Sequence, residues 1–180
     1  VCRDVTLLDF FIDKNIVHKL EASANIPSGS IQCIEHDFLT YQSDKLYDIV
    51  FSSGFIEHFE DTHDIISRHA RLLSDKGSLL IVLPNFRGLN GLVQHLFDRE
   101  NLKAHNLKSM HRKYLKQIAT ELGLKHIEVK YTSTPMLWLE PKPQNKRTRK
   151  VVRVFSYLLK VLPIPCRLLS PYIILYGEAR

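Results

Sequence analysis

Short apolar runs alternate along this chain with stretches whose apolar residues recur every three and four positions. "VTLLDFF" reads as a buried strand ending near Asp9, after which Ile16, Val17, Leu20 and Ala24 share one helical face before the turn "NIPSGS". "IQCIEHDF" predicts a second strand and "YDIVFSS" a third, also buried. Asp61 or Thr62 can cap a helix whose inward positions are Ile65, Ile66, His69, Leu72 and Leu73, with Lys76-Gly77 closing it. "SLLIVLP" is a fourth strand, apolar on both faces, as a parallel sheet covered on both sides requires.

Beyond Pro84 the pattern loosens into "NFRGLNGLVQHLFDREN", a loop with a short helix. An amphipathic helix is predicted from Met110 to Leu122, with Tyr114, Leu115, Ile118 and Leu122 on one side and Gly123 stopping it. "HIEVKY" is a strand, a helix follows around Val151 to Leu162, and "SPYIILYGEAR" supplies the last strand. Strand and helix in alternation predict an α/β fold with a doubly wound, mostly parallel sheet, which binds ligands beyond the carboxyl ends of its strands. No internal repeat and no long linker divide the chain, so residues 1–180 read as a single domain.

Composition and charge add further constraints. The 180 residues, 44% hydrophobic and 24% charged, exclude a disordered chain. Cys2, Cys33 and Cys166 are odd in number and match no zinc or CxxC spacing, so free thiols in a reducing compartment are expected, with a cytoplasmic location. The opening "VCRDVTLLDF" carries charges where a secretory signal needs its apolar core. The net charge of +6 is uneven: "KPQNKRTRK", Lys142 to Lys150, holds five basic residues and no acidic one. Val151, Val154, Phe155, Leu158, Leu159 and Leu162 then form an apolar helical face, either packed on the sheet or turned toward an anionic membrane through residues 142–162. No nucleic-acid partner is expected.

"LYDIVFSSGFIEHFED" followed by "LLSDKGSLLIVLPN" resembles the fourth and fifth strands of class I S-adenosylmethionine-dependent methyltransferases. "VTLLDF" is similar to that family's second strand, "IEHDFLTY" to its third, and "MHRKYLKQIATELGLKHIEVKY" to its helix-Gly-strand unit. The resemblance implies a Rossmann-like methyltransferase fold, S-adenosylmethionine as cofactor and a small-molecule acceptor. It implies that Asp9, with Phe10 beside it, faces the ribose hydroxyls, since a carboxylate can accept from both. Asp13 is left to cap the helix after it. Asp37 and Phe38 are implied at the adenine, and Ser53, Gly54 and Phe55 at the methionine part, where small residues let the backbone come close.

Glu57 and His58 are the candidate catalytic pair. Methyl transfer is an in-line displacement, so the protein mainly holds the acceptor, and a base is needed only where the acceptor must lose a proton. His58 can be that base, orient the acceptor, or pack locally. Glu57 can pair with it, and the two with a third carboxylate could hold a divalent metal, but two ligands do not make a site and none is expected. Asn85 and Arg87 are candidates for the acceptor pocket. His63, His69, His95, His105, His111 and His126 read as surface or core, and Trp138, Met136 and Tyr131 as core or an aromatic contact surface.

The chain departs from the family at its start. Only eight residues precede Asp9 and none of the seven glycines forms a GxG, so the family's first strand and glycine-rich turn are not in this sequence, and the fold is expected to be amino-terminally incomplete. A degenerate, non-catalytic binding domain is the alternative function. A nicotinamide dehydrogenase fits less well, because it too needs the glycine fingerprint.

Overall fold

The computed structural model describes residues 4–132, 134–142, 146–161 and 164–180. They fall into two compact units, one ending at Asp44 and the other running from Lys45 to Arg180. Cys2, Leu162 and Pro163 lie outside the described residues; Cys33 and Cys166 are free thiols.

In the first unit β1 (Val5–Asp9) pairs in parallel with β2 (Ile31–Glu35), and α1 (Lys14–Ser23) connects them. Asp13 caps α1 as expected, accepting from the Asn15 amide at 2.8 Å. The apolar face of α1 is covered less than its periodicity predicts, since Val17 is buried while Ile16 and Leu20 stay exposed. Glu21 is the unexpected buried residue. Its carboxylate accepts from the Gly29 and Ile31 amides at 2.9 and 3.1 Å, ties the turn after α1 to β2, and is held below the usual carboxylate range chiefly by the Ile31 bond.

The second unit is built on a four-stranded sheet of order β3-β4-β6-β5. Here β3 is Tyr47–Ser53, β4 Leu73–Pro84, β5 Lys125–Tyr131 and β6 Tyr172–Glu178. β3 and β4 are parallel, whereas β6 lies antiparallel between β4 and β5. The parallel pairs β1/β2 and β3/β4 with their crossover helices are the doubly wound part of the expected fold. Leu79, Ile81 and Leu83 of β4 and Ile173 and Leu175 of β6 are fully buried, with Leu115, Ile118 and Ala119 of α5 (Arg112–Glu121) and Ile65 and Ile66 of α2 (Thr62–Arg71). Asp61 caps α2 through the Asp64 amide at 3.0 Å, and His69 sits buried on its inner face as the spacing predicts.

Several expectations are corrected. β1 and β3 are not buried strands: in β3 only Val50 is buried, and Ile49 and Phe51, on one face two residues apart, are each 59% exposed. Each strand has one hydrogen-bonded neighbour among the described residues and its other edge has none, so its cover is incomplete. Lys76-Gly77 does not close α2, which ends at Arg71. Both residues lie within β4 at an irregularity where Tyr47 faces Leu73 and Ile49 faces Ser78. The loose stretch after Pro84 holds two helices, α3 (Leu89–Phe97) and α4 (Arg99–Lys103). The last helix, α6 (Lys146–Leu159), starts within the basic run.

The carboxyl end of β4 is locked by Asn85. Its buried amide donates to the Arg167 and Ser170 carbonyls at 2.8 Å each, and its own N–H donates to Pro171 O at 2.7 Å. This joins β4 to the segment that enters β6. Gly91, on α3, is required by proximity: a Cβ there would lie 1.8 Å from the Phe86 carbonyl oxygen. Replacing Asn85 with Ala should lower unfolding free energy by about 2 to 4 kcal/mol in urea denaturation, because two inward carbonyls lose their donor. A loss below about 0.5 kcal/mol would mean that the lock carries no stability.

Candidate active site

β3 ends at Ser53, and Gly54 turns the chain with φ of +65°, a left-handed conformation glycine adopts without strain. A single 3₁₀ turn, Ile56–His58, follows. It sinks Ile56 and Glu57 and leaves His58 exposed. The turn is clamped by Asn106, whose N–H donates to Glu57 O at 2.7 Å and whose side-chain amide donates to Phe59 O and Glu60 O at 2.9 and 3.0 Å. That clamp brings His105 against His58, with ring centroids 4.6 Å apart. His105 Nδ1 lies 2.6 Å from the Asn101 carbonyl and so carries the proton, which leaves Nε2 as an acceptor.

From His105 an aromatic series continues inward. Its ring meets Phe86 edge-on at 4.9 Å, Phe86 is 5.7 Å from Trp138, and Trp138 stacks on Tyr172 at 5.4 Å. The backbone of Trp138 is fixed by α3, accepting from Gln94 Nε2 at 2.8 Å and donating to Asn90 Oδ1 at 3.3 Å. Burial pushes the His105 imidazole below its usual range and the Tyr172 phenol above its own, with the Glu140 charge a smaller influence on each. Both are neutral at physiological pH. The arrangement can receive a flat or apolar group beside an imidazole that accepts a proton.

Glu57 is the electrostatic anomaly. Its carboxylate is buried, Oε2 has no partner among the described residues, and desolvation raises its pKa, offset in part by its own backbone N–H and by His58. Ligand atoms of Glu57, His58 and His105 all lie within 4.8 Å of one another. The third member that could complete a cation site is therefore an imidazole, where a carboxylate was the sequence-based condition; such a set suits a transition cation better than magnesium or calcium.

Asp9 is exposed at the end of β1, with Oδ1 3.4 Å from the Phe11 amide, and Phe10 beside it is largely exposed. Asp37 closes its own turn, accepting from the Leu39 amide at 2.9 Å, with Phe38 half-buried next to it. Phe55 packs on Phe59 and His69 at 4.9 and 5.9 Å. Asn85 has its side chain committed to backbone, so its place is in the scaffold, and Arg87 lines a hollow of about 400 Å³ with Leu107, His111 and Tyr114. Sequence reasoning missed His105, Asn106, Phe86 and Tyr172. Their one common signal is position: each lies at or just beyond the end of a helix or strand, where side chains converge.

Residues 2–129 match the family profile described as Methyltransferase domain. The chain belongs to that family. The resemblance to class I methyltransferases is borne out, the Rossmann-like α/β fold included. Among solved structures, a SAM dependent methyltransferase from Archaeoglobus fulgidus superposes with a TM-score of 0.58 at 17% identity over 97% of this chain and 86% of that one. Phosphoethanolamine N-methyltransferase 2 from Haemonchus contortus, in complex with S-adenosyl-L-methionine, gives 0.60 at 16% identity, 99% and 49%. An O-methyltransferase family protein from Burkholderia thailandensis gives 0.57 at 13% identity, 98% and 43%. The chain thus spans less than half of the last two, and at these identities the likeness is one of fold. No curated protein matches the chain.

The buried carboxylate of this methyltransferase yields a pH prediction. Because the folded-state pKa of Glu57 is raised, its penalty on stability is absent below the ordinary value of 4.5 and complete once pH passes the raised value. Glu57→Gln should therefore be more stable than the parent at neutral pH, and the gap should close toward acid. Urea melts across pH check this; a Gln variant that is weaker at neutral pH would show a stabilised carboxylate.

Proposed function

We propose that this protein transfers the methyl group of S-adenosylmethionine to a small-molecule acceptor that is apolar or membrane-borne. The observation that carries the reading is the His58–His105 pair at the mouth of the aromatic series Phe86, Trp138 and Tyr172. Family membership supports the cofactor, as do structural neighbours such as the Haemonchus contortus enzyme in complex with S-adenosyl-L-methionine.

Three features of the chain fit the cofactor. Asp9 keeps a carboxylate oxygen for ribose hydroxyls at a strand's carboxyl end, with Phe10 next to it. Asp37 and Phe38 are assigned to the adenine, the carboxylate as acceptor and the ring as a surface. In the second unit, Ser53, Gly54 and Phe55 are assigned to the methionine part. There the left-handed Gly54 leaves the backbone bare, and Glu57 Oε2 keeps an acceptor without a partner below it. When bound, the cofactor supplies an electrophilic sulfonium methyl.

Catalysis by the protein is then a matter of placement and of one proton. The aromatic series holds the acceptor and excludes water from its flat face. His58 takes the acceptor's proton on the side open to solvent, with the buried Glu57 next to it in the same turn. His105, kept neutral by burial and held in place by its Nδ1–H bond to the Asn101 carbonyl, flanks His58. Arg87 stands further along as a charged contact for the acceptor. A non-catalytic binding domain is the second reading, and a competent base separates the two.

His58→Ala in the intact protein should cut kcat by about a hundredfold or more while S-adenosylmethionine affinity, read by calorimetry, stays within a factor of about two. Parallel loss of affinity and turnover would make His58 structural. Asp9→Ala should do the opposite. Cofactor binding should weaken by about 1.5 to 3 kcal/mol for each charge-assisted hydrogen bond removed, with the ligand-free melting temperature unchanged, because Asp13 and not Asp9 caps α1. Unfolding of the variant would sink that assignment.

A further inference from the structure

The helix α6 has an apolar stripe about twice as wide as the core can use. Val152 and Leu159, seven residues apart, face inward with Ser156, which accepts from the Leu137 amide at 2.9 Å. They join Val93 and Leu89 of α3 and Leu137 and Leu139 in a small cluster. The neighbouring ladder Val151, Val154, Phe155 and Leu158 has the spacing of a core-facing stripe, yet these residues are 68, 56, 48 and 64% exposed. Packing against the sheet, the other sequence-based expectation for this face, is therefore corrected: Val152 and Leu159 are the inward residues, and they pack on α3 and residues 137–139. On the same cluster, α3 also turns apolar residues outward, with Leu92, Leu96 and Phe97 about half exposed.

Charge says what covers this face. α6 carries Lys146, Arg147, Arg149, Lys150 and Arg153 and no acidic residue. At 100° per residue, Lys146, Arg149, Lys150 and Arg153 fall on one arc that adjoins the exposed ladder, with Lys150 beside Val154, while Arg147 lies at the ladder's own azimuth in the first turn, so cations border the apolar side of the helix. Arg149 and Arg153 line a groove of about 230 Å³ with Trp138, Tyr157 and Lys160, a volume that admits a phosphate headgroup. Lys142, the first cation of the basic run, is taken by Asp98 at 2.6 Å, so the free charge begins at Lys146. No helix among the described residues is long and apolar enough to cross a membrane.

We infer that α6, flanked by the outer face of α3, is an in-plane anchor for an anionic phospholipid surface. The ladder Val151, Val154, Phe155 and Leu158 enters the acyl boundary and the cationic arc meets headgroup phosphates. A second copy of the chain seated on the ladder would leave the cations of α6 without counter-charge, and a nucleic acid would leave the aliphatic ladder wet, so neither covers both halves of the helix. The inference rests on the proposed methyl transfer only for its purpose, which is access to a membrane-borne acceptor.

Vesicle flotation of the intact protein tests it. Binding is expected to phosphatidylcholine vesicles containing about one third phosphatidylglycerol, with weak binding to phosphatidylcholine alone and partial release by salt. Phe155→Glu with Leu158→Glu should reduce partitioning about tenfold or more, and Lys150→Ala about fivefold, with circular dichroism unchanged because all three side chains are exposed. Absence of flotation at low salt, equal flotation of the double variant, or full competition by soluble glycerol phosphate would overturn the inference. So would a dimer dispersed by the double variant, which would give the face to a second copy. Flotation needs no cofactor, so normal flotation with no S-adenosylmethionine binding would sink the methyl-transfer reading and leave the anchor standing.

Discussion

The antiparallel ladder between β4 and β6 is the contact on which the second unit depends. It runs from Ser78 opposite Glu178 to Pro84 opposite Tyr172 and carries five fully buried aliphatic side chains. At one end it is closed by Asn85, which ties the exit of β4 to the entry of β6. Three parts of the candidate site leave from this end. Phe86 follows Asn85, Tyr172 opens β6, and Gly54 N–H donates to Val82 O at 2.9 Å, so the loop before the 3₁₀ turn hangs from the same strand. A hydrophobic ladder is a rigid base for such loops because it has no rotamer or register to trade without exposing apolar area.

Polar locks then set the loops. Asn106 spends its side-chain N–H donors on the turn holding Glu57 and His58, and Gln94 and Asn90 fix the backbone of Trp138. Each is an amide used as a spacer between backbones, a role where both donor and acceptor geometry are needed and a hydrophobic residue of equal volume would leave carbonyls unpaired. The consequence is a histidine pair with two different environments: His58 faces solvent, and His105 is neutral by burial. Glu57 beneath them is the one buried carboxylate of the site, and its missing partner is the sort of local inconsistency that concentrates where ligands bind.

The outer helices follow another logic. α3 and α6 share a small cluster of Leu89, Val93, Leu137, Leu139, Val152 and Leu159, so each is attached by one narrow stripe and presents its remaining apolar residues outward. A helix held this way keeps its amphipathic surface available in a fixed orientation. The same cluster holds residues 137–139, and with them Trp138, so the helix that carries the cations also braces the aromatic series.

What the sequence by itself determined is what local physics can encode. The two periodicities placed most strands and helices, and the Asp13 and Asp61 caps were readable because a carboxylate before an apolar-periodic run satisfies amides that a helix start always leaves open. The order of those elements carried the family. Burial was less legible: an apolar run such as "YDIVFSS" looks alike in a covered strand and in one with an open edge, because cover comes from neighbours distant in sequence. The ladder of α6 misled for the same reason, since periodicity marks an apolar face without saying what meets it. Only the tertiary structure decided the site's composition. His58 and His105 are 47 residues apart, and nothing local distinguishes His105 from the other histidines until the hydrogen bonds of Asn106 close that loop onto the turn. Contacts of such separation depend on the whole packing and not on any window of sequence, and that is why Asp13 could be assigned from the chain alone and His105 could not.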